Sequence, residues 1–435
     1  MTQLLEHTVT RHGVRFHFIE TNKFKTIQFV VKCKALLNRD TITKRALLPY
    51  VLEKGTKNYP TEKQLMRKLA SLYGASLSID SNKKGNYHII NFRMQIANEK
   101  FIEGENNLFD EALNLLQEVI FQPLQENDGF HETILKREKK SLQNDITAIH
   151  DDKVALANQR LIEAMCEDEL YSIATNGYIN DLSKIDTRNL YEYYGRLLQE
   201  DVFDVYVLGD FQQEEIAEKV MQVFENKPVT NSPTDIVKEA VVKNDVKVIQ
   251  EIQAIEQTKL HIGYRTNCTF QDDDYFALLL MNGLFGSFPN SKLFQEVREK
   301  HSLAYYATSR IESHKGLLIV LCGIEGANSK QTIDIIQAQL TAMQEGDFTE
   351  AELTETKELF MNDLRETFDS AGGMIELLYQ QIVGDRALSI EQYMDGIQAV
   401  SKTDVMQVAK HIELDTIFLL TNEEVEVMDN GKASL

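Results

Sequence analysis

Hydrophobic and polar positions along this chain form two successive blocks of helix-like and strand-like patterns. In the first block the helical period covers 62–73, 105–121, 130–150, 154–174, 186–199 and 212–225, and strand-like runs cover 14–20, 26–34, 76–81, 87–95 and 202–209. The second block has strands at 246–254, 258–266, 303–312 and 316–323, and helices at 272–285, 290–301, 328–345, 350–384 and 402–411. Each block predicts an α+β unit.

The second block repeats the first at the level of single residues. Sliding the chain by 231 positions superposes Ala46-Leu47-Leu48 on Ala277-Leu278-Leu279 without a gap, and Arg67 on Arg298. We therefore predict two homologous domains from a duplication, 1–225 and 246–435, each a mainly antiparallel sheet packed with helices. The residues between them, 226–245, include two prolines and several small polar residues that are typical of a surface linker.

Composition and charge narrow the possible partners. The chain has 435 residues, with 46 basic and 67 acidic side chains and a net charge of -21. A field of that sign repels phosphate backbones and anionic membrane surfaces, which predicts no nucleic-acid and no membrane partner. The sequence has no apolar run of about eighteen residues and no leader-like start, so we expect a cytoplasmic protein. Its four cysteines lie far apart and form no C-x-x-C pair, which argues against a disulfide framework and a thiolate zinc site.

The most informative motif is the run NSKLFQEVREKHSLAYY at 290–306. It closely resembles the S-x-L-F-x-x-V-R-E-x-x-x-L-A-Y signature in the second domain of insulinase/pitrilysin-type metallopeptidases. In that family the arginine and the tyrosine reach the zinc site of the facing domain, where they hold substrate backbone and stabilise the oxyanion. The resemblance implies these roles for Arg298 and Tyr305, whose side chains are donors suited to developing negative charge. Without the motif, a local ion pair and an ordinary strand tyrosine would be the simpler interpretation.

The same resemblance implies a zinc-binding helix in the first domain, but the residues that would bind zinc and activate water are absent from it. Active members carry H-x-x-E-H followed by Gly-Thr, in which two histidines bind zinc and the glutamate activates water. Aligning the Gly-Thr pair at 55–56 places Ala46 and Tyr50 at the histidine positions and Pro49 at the glutamate position. Alanine and proline have no donor atom, and a neutral phenol is a poor zinc ligand. We therefore expect no metal, no cofactor and no peptidase activity from this chain alone.

The family's third ligand is an acid in a later helix, with a second acid seven residues before it. Asp145 stands at the ligand position and Glu138 at the earlier one, although an ordinary solvated helix explains both residues equally well. We hypothesise that the Tyr50 phenol donates a hydrogen bond to Asp145 or Glu138 in the former place of the metal. Neither histidine pair, His12 with His17 or His131 with His150, has a spacing on one helical face that suggests a replacement metal site.

The chain combines an intact Arg/Tyr pair with a zinc motif that has lost its ligands. In this combination it resembles the non-catalytic subunit of two-chain members of this superfamily. The resemblance implies half of a clamshell chamber, a zinc-binding paralogue with H-x-x-E-H as partner, and a peptide ligand. Within the superfamily the chain is most similar to bacterial zinc-less proteins associated with the aminopentanol modification of elongation factor P. A homodimeric peptide- or protein-binding scaffold is the alternative, and an autonomous peptidase with an unrecognised site is the third possibility.

Overall fold

A computed structural model describes residues 5–104, 107–225, 227 and 245–427. The predicted linker, 226–245, lies outside these residues except for Lys227 and Asp245. The strands are β1 (Leu5–Arg11), β2 (Val14–Glu20), β3 (Thr26–Leu36), β4 (Ser76–Lys84), β5 (Tyr87–Ala97), β6 (Gln125–Glu126), β7 (Gly129–Phe130), β8 (Val202–Gly209), β9 (Lys247–Ile252), β10 (Thr258–Arg265), β11 (Ala304–Glu312), β12 (Leu317–Ile324) and β13 (Glu413–Thr421).

The α-helices include several that begin at a side-chain cap, such as Asp186 and Thr349. They are α1 (Ile42–Leu52), α2 (Glu62–Ser71), α3 (Leu108–Phe121), α4 (Glu132–Ala148), α5 (Lys153–Met165), α6 (Ile179–Leu182), α7 (Thr187–Glu200), α8 (Gln213–Val223), α9 (Tyr275–Asn282), α10 (Ser329–Glu345), α11 (Glu350–Phe368), α12 (Ala371–Val383), α13 (Ile390–Ala399) and α14 (Lys402–Lys410). Two π-helical segments, Gly283–Ser287 and Phe294–Lys300, follow α9. Among the described residues, no helix is both long and apolar enough to cross a membrane.

The first unit is built on a six-stranded sheet in the order β1-β2-β8-β3-β5-β4. Only β2 and β8 pair in parallel, and the other neighbours are antiparallel. Alternate residues of β2 and β3, such as Phe16 and Phe29, are buried in one apolar core with residues of α1, α3 and α7. This packing fixes α1, the helix in which the sequence predicts a degenerate zinc motif, on one face of the sheet.

The second unit repeats this topology. Its sheet has the order β11-β12-β10-β13-β9, and only β9 and β13 pair in parallel. Read in reverse, β9-β13-β10-β12-β11 has the order and strand directions of β2-β8-β3-β5-β4. The predicted α+β fold with antiparallel-rich sheets is confirmed, and the shared topology supports a duplication.

The compact units divide differently from the ranges that the sequence predicted. The described residues of the first unit lie within 5–148 and 173–227, and those of the second within 149–172 and 245–427. The difference is α5, which lies inside the predicted first domain but packs on β10 and β13 of the second sheet. Leu156, Leu161 and Cys166 are buried there against Leu321 and Phe418. Periodicity identifies the buried face of such a helix but not the sheet that buries it.

Candidate functional site

The three positions that the sequence alignment assigns to a zinc motif, Ala46, Pro49 and Tyr50, all lie on α1. Ala46 is buried with 1% of its surface exposed, Pro49 is buried inside the helix, and Tyr50 is half-buried one turn after Ala46. Helix α1 packs beside α4, which holds Glu138 and Asp145. The fold therefore brings the predicted motif positions of the two helices together on one side of the first sheet.

Tyr50 and Asp145 form a direct contact between these helices. The Tyr50 hydroxyl donates a hydrogen bond to Oδ2 of Asp145. Burial raises the pKa of Tyr50, and the negative charges of Asp145, Glu138 and Glu53 raise that pKa further. The phenol is therefore protonated near neutral pH and acts as a donor. The hydrogen bond proposed from the sequence is present, and its acceptor is Asp145.

Glu138 is the most deeply buried acid of this group, with 3% of its surface exposed. Its Oε1 accepts a hydrogen bond of 2.6 Å from Nε of the neighbouring Arg137, whose guanidinium also pairs with Glu62 of α2. A buried carboxylate requires a compensating charge or donors. Arg137 supplies that positive charge from the protein itself.

The residues present do not fit a zinc ion. Ala46 and Pro49 offer no ligand atom, and the Tyr50 phenol is held protonated by its surroundings. Within the part of the chain that the structure describes, no group of three or more His, Cys, Asp or Glu side chains is arranged to hold a metal ion. No step of peptide hydrolysis can therefore be assigned to these side chains.

Arg298 lies on the second π-helical segment and is accessible. The centre of its guanidinium lies 4.7 Å from the centroid of the Phe294 ring, a cation–π contact that orients the side chain. Its ion contact is to the adjacent Glu299, where Nε and Oε1 are 3.7 Å apart. That distance is too long for a hydrogen bond, and 45% of the Arg298 side chain is exposed. Its donors are available to another molecule.

Tyr305 is presented by an irregularity in an edge strand. β11 is the last strand of its sheet, and its pairing with β12 shifts register between Ala304 and Tyr306. Tyr305 is therefore the extra residue of a β-bulge, a device that redirects a side chain. It is 73% exposed, and among the described residues its hydroxyl has no hydrogen-bond partner. The motif thus presents an exposed arginine and an exposed phenol within seven residues on one unit.

Comparison with known proteins shows the relationship of this chain. The family model "Peptidase M16 inactive domain" matches residues 184–360. The probable inactive metalloprotease YmfF of Bacillus subtilis (strain 168) is 42% identical over 412 residues, covering 95% of this chain and 96% of that protein. The chain belongs to the M16 peptidase family. Within it, the chain is a homologue of members that are described as inactive or probably inactive.

Solved structures share the fold of this chain. A conserved protein from Enterococcus faecalis V583 superposes with a TM-score of 0.89 at 34% identity, over 98% of this chain and 100% of that one. An M16 inactive domain from Pseudomonas fluorescens has a TM-score of 0.81 over 97% and 100% of the two chains. Its identity is 18%, so it supports the fold alone.

Two further residues near α1 and α4, Arg137 and Glu53, were not singled out by the sequence pattern. The only sequence signal for Arg137 is that it directly precedes the acid Glu138. Glutamate is common in helices, so Glu53 gives no signal of its own, yet its Oε1 accepts a hydrogen bond from the backbone N–H of Ile79 on edge strand β4. Burial raises the pKa of Glu53. Arg137 connects α4 of this M16 homologue to α2, and Glu53 connects the end of α1 to β4.

Proposed function

We propose that this chain is the non-catalytic subunit of a two-chain insulinase-type zinc peptidase. In this proposal the partner is a paralogue that bears H-x-x-E-H and supplies zinc, water activation and peptide cleavage. The present chain supplies half of a clamshell peptide chamber and directs Arg298 and Tyr305 at the partner's substrate.

The observation that carries this proposal is the contrast between the two motifs. The zinc-helix positions are filled by Ala46, Pro49 and a Tyr50 that is engaged with Asp145. Arg298 and Tyr305, in contrast, are exposed and make no strong contact within the described residues. Donors that are left accessible suit the stabilisation of negative charge on a substrate held by another chain. The family relative YmfF, described as probably inactive, is compatible with this division of labour.

The cellular context is also part of the proposal. We propose a cytoplasmic location, which is supported by four buried free cysteines, Cys33, Cys166, Cys268 and Cys322, as expected in a reducing compartment.

An association with the aminopentanol modification of elongation factor P is proposed from the sequence resemblance. Deleting the gene and measuring the mass of elongation factor P from the same cells tests that association, and an unchanged modified fraction would refute it.

The role of Arg298 can be tested in a mixed complex with the zinc-binding paralogue. We expect Arg298→Ala to lower kcat by about a hundredfold, the typical effect of removing one oxyanion donor, while the subunits still assemble. Lys300→Ala is the matched control, because Lys300 is an exposed cation on the same segment and pairs with Glu296. Unchanged kcat in Arg298→Ala, with the complex intact by size-exclusion chromatography, would refute the assigned role.

A further inference from the structure

A polar group lies beneath α5 in the second unit, next to the apolar cluster that α5 covers. His261 is on β10, is fully buried, and pairs in register with Leu321 of β12 and Phe418 of β13. Both of these neighbours belong to the apolar cluster that α5 covers. Tyr306 of β11 packs against the same cluster. Lys259 lies two residues before His261 on β10 and therefore on the same face. These three residues are named here the α5 polar group.

Two members of the α5 polar group have buried polar atoms without a partner. Among the described residues, neither ring nitrogen of His261 has a hydrogen-bond partner, and the Tyr306 hydroxyl has none. Leaving a buried donor or acceptor unpaired costs about 1–3 kcal/mol for each group, and more than 90% of such groups in folded proteins are paired. These three atoms could each form a hydrogen bond with a polar species bound beneath α5.

Local geometry brings Tyr306 and Lys259 together across β12. Gly323 of β12 lies in register between Tyr306 and Lys259. A Cβ atom at Gly323 would lie 2.5 Å from Cε1 of Tyr306, so the missing side chain is what allows the Tyr306 ring to lie across β12. The ring centroid then lies 5.8 Å from Nζ of Lys259. The arrangement is a built feature of the sheet.

The charges around the α5 polar group favour a negative ligand. Burial lowers the pKa of His261 to about 3, and the cations Arg310 and Lys259 lower it as well. Burial raises the pKa of Tyr306 to about 12. A neutral imidazole, a protonated phenol and an ammonium each offer an N–H or O–H donor. Asp152 is an acid whose charge acts on Lys259 and Tyr306, and its Oδ1 accepts hydrogen bonds from the backbone N–H groups of Val154 and Ala155 at the start of α5.

We propose that the α5 polar group is a carboxylate-binding site, in which Tyr306 and His261 donate to the ligand oxygens and Lys259 balances the charge. The ligand is a small organic acid or the carboxylate of a peptide. This site lies within the second unit and is independent of the proposed action of Arg298 and Tyr305.

Thermal unfolding of the full chain tests the proposal. Sodium acetate should raise Tm in a saturable way, because a ligand that binds only the folded state stabilises it by mass action. Acetamide, and sodium chloride at matched ionic strength, should not raise Tm in this way. Acetyl-Ala-Ala with a free carboxylate, compared with its amide, distinguishes a peptide acid from a small acid.

Variants test the assigned residues. His261→Leu and Tyr306→Phe should each abolish the increase of Tm in acetate. His301→Gln and Tyr73→Phe, at an exposed histidine and an exposed tyrosine, are the controls and should keep that increase.

A second measurement keeps the test independent of any change in folding caused by the variants. In the wild-type chain, the ring nitrogen resonances of His261 should shift with acetate and saturate at the same concentration as Tm. An acetate effect equal to that of acetamide, or one retained in both site variants, would overturn the proposal. A crystal structure grown in acetate that shows only an ordered water between Tyr306 and His261 would also overturn it.

Discussion

At the scale of single residues, Tyr50 forms a hydrogen bond at a position that the sequence alignment predicts for a metal ligand. Its phenol joins α1 to Asp145 of α4. We expect Tyr50→Phe to lower the free energy of unfolding by about 1–2 kcal/mol, because hydrogen bonds to charged groups contribute about 1.5–3 kcal/mol and this one is partly exposed. Urea titration followed by circular dichroism measures the change. Tyr73→Phe, at an exposed tyrosine of the same unit, should stay within about 0.5 kcal/mol of wild type. Equal midpoints for wild type and Tyr50→Phe would show that the contact contributes nothing.

His17 makes the stability of the first unit depend on pH. Its Nδ1 lies 2.9 Å from Glu6, its Nε2 lies 3.5 Å from Asp204, and its ring stacks on Tyr206. Burial acts to lower the pKa of His17, but the carboxylates of Asp204 and Glu6 outweigh burial and raise it. A raised folded-state pKa gives stability that is fully present below about pH 6.5, the ordinary histidine value, and is lost as pH rises through the folded value.

We therefore expect His17→Gln to destabilise the chain more at about pH 5.5 than at about pH 8.5. Chemical denaturation at the two pH values measures the difference directly. Arg15 pairs with Asp204 on the same face and keeps its charge across this range, so the pH-dependent part belongs to the imidazole. His301→Gln is the control at an exposed histidine. If the free energy of unfolding differed between wild type and His17→Gln by the same amount at both pH values, the assigned pKa direction would be contradicted.

At the scale of elements, sequence periodicity predicted some strands with the correct bounds, but it missed one strand and merged two helices. The predicted strands 14–20 and 202–209 coincide with β2 and β8. β13 was missed because its apolar residues, 417–420, form one continuous buried run without alternation. The predicted helix 350–384 is two helices, α11 and α12, with a break at Asp369 and Ser370, where the Ser370 side chain caps α12. A polar cap inside a long amphipathic pattern is hard to distinguish from an exposed helical position.

Helix α5 depends on one glycine of the second sheet. A Cβ atom at Gly263 of β10 would lie 2.6 Å from Sδ of Met165 in α5. We expect Gly263→Val to destabilise the chain by about 1–3 kcal/mol through overpacking, as measured by urea titration. Gly372→Ala is the contrasting control, because its nearest surrounding atom is 3.9 Å away and alanine favours a helix over glycine by about 0.5–1 kcal/mol. Equal stability of the two variants would show that α5 adjusts without cost.

At the scale of the whole molecule, the two units share one topology, and each contains features that the sequence predicts and features that it does not. The motif frame alone predicts the positions Ala46, Pro49 and Tyr50 in the first unit and Arg298 and Tyr305 in the second, and their roles stay predictions. The bulge that exposes Tyr305 could not be predicted, because it depends on strand register, a relation between β11 and β12 that no local pattern encodes. The pairing of Arg137 with Glu138 and Glu62 was equally hidden, since it depends on how α2 and α4 meet.

The proposed partnership makes a prediction for the chain in its native cells. A gentle pull-down should recover an H-x-x-E-H paralogue in stoichiometric amount, because the exposed Arg298 and Tyr305 have a catalytic use only beside a zinc site that this chain lacks. Tyr305→Phe should leave that recovery unchanged, since the hydroxyl is proposed to act on substrate and not in assembly. The purified chain alone should cleave no peptide from a quenched fluorescent library. Recovery of this chain alone would contradict the two-chain peptidase and favour the homodimeric binding scaffold, in which the same exposed side chains hold a peptide without cleaving it.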